Sequence, residues 1–66
     1  MKLEEVLKEK GISKNQIALM ARITPGDLYQ ALNGKKPFFP AWRKRISETL
    51  GVPEDELFPE YHKKGE

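Results

Sequence analysis

The sequence predicts an all-α fold, a compact bundle of about five short helices. Three observations carry that expectation. Apolar residues recur three and four positions apart, the spacing of one helix face, and no segment alternates with the period of two that a half-buried strand needs. Most of these apolar runs open on a residue that caps helices and close on glycine. The chain is 66 residues long, enough for one domain and no more, and such a domain buries only about 60% of the surface its unfolded form exposes.

Taken in order, Leu3, Val6 and Leu7 mark a first helix over Lys2 to Lys10, ended by Gly11. Ser13 with Gln16 three residues on is a capping box, so a second helix starts at Lys14 with Ile17, Ala18 and Ala21 inward. After Ile23 a new start signal follows at once. Thr24 is a natural N-cap, Pro25 suits the first helical position because its missing N–H would be unpaired anyway, and Asp27 favours the positive end of the dipole. This third helix turns Leu28, Ala31 and Leu32 inward and stops at Asn33-Gly34. Lys35 to Phe39 reads as a loop. Pro40 opens a fourth helix whose Trp42, Ile46 and Leu50 fall on one face, with Trp42 expected in the core, and Gly51 stops it. Pro53 begins a last short helix with Glu54, Asp55 and Glu56 in its first turn and Leu57 and Phe58 as anchors. Residues 1–61 are thus read as one domain and 62–66 as a polar, frayed tail in which His62 is inert.

Composition narrows the function classes. There is no cysteine, which removes disulfides, thiolate metal sites and thiol nucleophiles, and a lone histidine gives a metal or a general base no partner. The expectation is therefore a protein that is no enzyme and carries no cofactor or metal. No apolar run approaches the roughly 18 residues of a membrane span, and the N-terminus lacks the apolar stretch of a signal peptide, so a cytoplasmic location is expected. Charge is polarised along the chain. Met1 to Ile46 carries ten bases against four acids, a net +6, whereas Ser47 to His62 carries five acids and no base. One end suits a polyanion; the other would be repelled by it.

The second and third helices are separated only by Arg22 to Thr24. A turn so short forces two capped helices to cross steeply and leaves the later one projecting, the arrangement by which a helix-turn-helix enters the major groove. The stretch from Leu7 to Phe58 resembles the Cro/repressor (Xre) helix-turn-helix family in Ser13, Ala18, Thr24, Leu28, Asn33 and Gly34, at that family's spacing without gaps. Ile46, Leu50-Gly51-Val52 and Asp55-Glu56-Leu57-Phe58 are similar to its closing helices. The resemblance implies a lambda-repressor-like fold and a bacterial or phage-encoded transcriptional regulator, of phage- or mobile-element-like repressor type, acting on double-stranded DNA. Two departures stand out. Arg22 occupies the turn where the family usually has glycine, and the loop to Pro40 is one residue longer, with Phe38-Phe39 in place of a polar cap.

What the resemblance implies for single residues is base contact from Pro25, Gly26, Tyr29 and Gln30, with Asp27 near by as a cap or a reader of cytosine. Gln30 is the strongest reader, since its amide can pair with adenine in a bidentate way. Tyr29 either meets the DNA or covers the edge of the core. Phosphate contacts are expected from Lys14 and Asn15, from Asn33, Lys35 and Lys36 beyond the third helix, and from one of the run Arg43, Lys44 and Arg45, taken as Arg43. Leu57, Phe58 and Tyr61 either pair two copies weakly, as on a two-fold operator, or pack on the fourth helix of the same chain. The competing reading is a protein-interaction module, an antirepressor, antitoxin or polymerase-binding adaptor, because Pro25 and Gly26 offer no hydrogen-bonding side chain.

Overall fold

Four of the five helices follow from caps and stops that lie within a few residues of them, and the fifth is anchored by its apolar end. The computed structural model describes residues 2–61; His62 and the rest of the expected tail, 62–66, lie outside the described residues. Helix α1 is Leu3–Lys10, α2 Lys14–Met20, α3 Pro25–Leu32, α4 Pro40–Leu50 and α5 Glu54–Leu57, followed by a single 3₁₀ turn at Pro59–Tyr61 that the sequence pattern did not announce. The capping box is complete. Ser13 N–H donates to Gln16 Oε1 at 2.8 Å and Gln16 N–H donates to Ser13 Oγ at 3.0 Å, so two of the N–H groups that a helix start leaves orphaned are satisfied. Thr24 Oγ1 accepts from Asp27 N–H at 3.3 Å with Pro25 at the first helical position. Pro53 serves as the cap of α5 rather than its first residue.

The turn after α2 has the left-handed geometry that the family's glycine would supply, but an arginine adopts it. Arg22 stands at φ 60°, whereas the other positive-φ residues, Gly11, Gly34 and Gly51, have no Cβ. Ile23 N–H reaches back to Ala18 O at 2.8 Å and Arg22 N–H to Leu19 O at 3.2 Å, the paired bonds of a Schellman stop. Ile23 and Ala18 are both buried, which sets the apolar contact that accompanies this motif. The stop is therefore complete, and its cost falls on the backbone of one residue.

The core is drawn from every helix and from the loop before α4. Ile17, Ala18, Ala21 and Ile23 meet Leu28 and Ala31 from α3, Ile46 and Leu50 from α4, and Leu3 and Leu7 from α1. Phe38 lies in the expected loop, yet it is 1% exposed and packs against Phe58 with ring centroids 4.9 Å apart. Trp42, expected in the core, lies half-buried at its rim, edge-on to Phe39 at 4.7 Å. Phe38 takes the deeper place, against the Phe58 and Tyr61 rings. Of the two expectations for Leu57, Phe58 and Tyr61, packing within the same chain holds for Leu57 and Phe58, which are fully buried, while Tyr61 stays 38% exposed. Lys2 N–H donates to Leu57 O at 3.1 Å and ties the start of α1 to α5.

Candidate nucleic-acid interface

With Leu28 and Ala31 turned inward and Leu32 half-buried, the outward face of α3 is composed of Gly26, Tyr29, Gln30 and Asn33, all exposed, with Pro25 half-buried at its start. These positions recur every three to four residues and so share one face. A helix of eight residues is about 12 Å long, close to the width of the major groove. At Gly26 a side chain would find open space, with no atom within 4 Å of an added Cβ, so the protein itself does not require glycine there.

Four of the polar groups expected to touch DNA are paired with one another in the free chain. Tyr29 Oη donates to Asn15 Oδ1 at 3.1 Å, joining the base-reading helix to the start of α2. Lys36 Nζ lies 2.8 Å from Asp27 Oδ1, because the chain after Gly34 turns back along α3, with Lys35 N–H and Lys36 N–H both donating to Gln30 O. The Lys36 ammonium, and after it the Thr24 hydroxyl, hold the Asp27 carboxyl below its ordinary value of 3.8. Lys14 Nζ sits 3.2 Å from Glu4, an exposed pair that contributes little to stability. Gln30, Asn33 and Lys35 are exposed, and their side chains make no hydrogen bond or ion pair among the described residues.

Arg43 is turned onto the protein in the free chain. Its guanidinium donates to Phe38 O, lies 3.3 Å from Glu54 Oε1 and stacks over the Tyr61 ring at 4.5 Å. Phe38 N–H in turn donates to Tyr61 Oη at 2.9 Å. Arg43 and Tyr61 thus satisfy both backbone groups of Phe38, a residue whose burial would otherwise orphan them. Arg45 is likewise turned onto the protein, its Nε donating to Ala21 O at 2.7 Å at the negative end of α2. Only Lys44 of this run is exposed. Sequence reasoning missed the Arg45 contact, whose partners lie 24 residues apart with no local signal.

The sequence matches the profile described as a helix-turn-helix domain over residues 1–63. The chain belongs to this helix-turn-helix family. The match spans nearly the whole chain and bears out the resemblance to regulators of the Cro/repressor type carried by Ser13, Thr24 and Asn33-Gly34. Helix-turn-helix domains of this family are DNA-binding domains. Comparison with curated proteins and with solved structures gives no match. Among the described residues no helix is long and apolar enough to cross a membrane.

Proposed function

We propose that this helix-turn-helix protein is a sequence-specific transcriptional regulator, a repressor acting in the cytoplasm, that lays residues 25–33 in the major groove of double-stranded DNA. The observation that carries the reading is the α3 face of Gly26, Tyr29, Gln30 and Asn33, which the core leaves free and which two satisfied caps hold in place. Gln30 reads a base edge, Gly26 admits the helix close to the groove, and Tyr29 meets a thymine methyl or a phosphate once it leaves Asn15. Lys14, Asn15, Asn33, Lys35 and Lys36 hold the strands. Lys14 and Lys36 exchange exposed carboxylate partners for phosphates, an exchange favoured by counterion release. Two copies bind a two-fold site without forming a stable dimer beforehand.

Selection of duplexes from a random library tests whether and what the chain reads. A defined site is expected, with Gln30→Ala relaxing preference at one or two base pairs and costing about 1–3 kcal/mol of discrimination while binding to bulk DNA persists. An unchanged preferred site in Gln30→Ala would remove Gln30 as a reader. Lys35→Ala should flatten the log–log salt dependence by about 0.9 and weaken all sequences alike.

A further inference from the structure

We infer that the C-terminal end of α2 and the turn after it form a second docking surface, for a protein segment with an apolar anchor flanked by carboxylates. Leu19 and Met20 are 68% and 53% exposed. Among the described residues they are the only Leu, Ile, Val or Met side chains left mostly in solvent; every other one is buried or half-buried. They stand side by side at the end of α2, on positions that the inward set of Ile17, Ala18 and Ala21 leaves free for polar residues. Nothing in the fold requires them to be apolar.

Two cations border the pair. Arg22 is exposed, and its side chain makes no hydrogen bond or ion pair among the described residues, although its left-handed backbone would be relieved by glycine. Arg45 brings its guanidinium to Ala21 O, between Met20 and Arg22. No carboxylate occurs from Lys10 to Gly26. The stretch that carries the pair thus has no anion of its own, and complementarity asks for them on the occupant. Met and Arg are the types enriched where proteins meet, Met for its adaptable shape and Arg for its planar fork. A DNA strand would satisfy Arg22 but would set phosphates against Leu19 and Met20, which favours a protein occupant. Two apolar side chains fall well short of the roughly 800 Å² per partner of a stable interface, so the contact is transient and a second copy of this chain is the poorer fit. The surface is independent of the reading of α3 as the DNA-contacting helix.

The test uses an amphipathic helical peptide of about 18 residues with leucines along one face and glutamates beside them, and a twin with lysine for every glutamate. Each is titrated into the isotope-labelled chain. The acidic peptide is expected to shift the signals of residues 19–22 and the Arg45 Nε–H, and its affinity should fall about fivefold or more in Leu19→Gln and in Arg22→Gly. Arg22→Gly should melt no lower than the parent, so that lost binding cannot be lost fold. DNA affinity of Leu19→Gln should stay within about twofold. The inference is overturned if neither peptide moves these signals, if the twin binds as well, if Leu19→Gln weakens DNA binding as much as peptide binding, or if the patch is instead covered by self-association.

Discussion

Arg22 concentrates at one residue what the helix stop after α2 needs and what the chain supplies. The left-handed region puts the Cβ of an L-residue too near the following carbonyl, and the pairing of Ile23 and Arg22 N–H groups to Ala18 and Leu19 holds the residue there regardless. Arg22→Gly should raise stability by about 0.5–1 kcal/mol, or several degrees in thermal unfolding of a domain this size. No gain would mean that glycine's added freedom in the unfolded chain offsets the relief. Gly26 is the converse. Its backbone is helical and open space surrounds it, so Gly26→Ala should stabilise the free protein by about 0.5 kcal/mol and yet weaken DNA binding if the helix approaches closely there. Equal or tighter DNA binding in Gly26→Ala would show that the groove leaves room at this point. At this scale the sequence was most legible where donor and acceptor lie within a few residues, as in Ser13 with Gln16 and Thr24 with Asp27. The family's usual glycine at this place left the turn open between a positive φ at Arg22 and another geometry, and the fold takes the positive φ.

Between α3 and the chain that follows it, local caps give way to a contact whose partners are nine residues apart. Lys36 and Asp27 close the loop back onto the first turn of the helix, and the pairing lowers the Asp27 pKa. A carboxyl depressed on folding stabilises the native state above its ordinary value of 3.8, and that contribution is lost as pH falls through the lowered folded value. The loop should therefore loosen only in strong acid, at a pH below 3.8, and Asp27→Asn should show no such step in an acid titration followed at Lys36. The same substitution removes an anion from the DNA-facing end and frees Lys36. DNA binding should tighten, and its salt dependence should steepen by up to about 0.9. Weaker binding by Asp27→Asn would instead make the carboxylate a reader of the base edge. Neither this pair nor the fate of Arg43 and Arg45 is legible in the sequence, which points Lys36 and Arg43 at phosphate and gives Arg45 no partner. Their partners are set by how α4 crosses α2 and the loop, and burial decides which cations remain for phosphate.

Over the whole molecule, the acidic C-terminal segment packs onto the core through Leu57 and Phe58. Phe38, Phe58 and Tyr61 form a cluster of tilted and edge-on rings, centroids 4.9 to 6.4 Å apart, that joins the loop, α5 and the last turn. Arg43 caps it from α4. That Leu57 and Phe58 are apolar was plain from the sequence; whether they faced this chain or another depended on Phe38, whose burial no periodicity reveals because it sits in a loop. The neighbouring Phe39 has a different part, 44% exposed and resting on Trp42 at the rim. A domain of this size holds a net stability of only about 3–10 kcal/mol. Phe38→Ala removes a buried ring and should cost about 3–5 kcal/mol, enough to leave much of the population unfolded, whereas Phe39→Ala should cost about 1 kcal/mol or less. Urea unfolding followed by circular dichroism separates the two, with a large drop in midpoint for the first and a small one for the second. Equal losses would mean that the loop does not divide its two rings between core and surface. If Phe58→Ala shifted a monomer–dimer balance with the unfolding midpoint unchanged, the segment would be an interface after all.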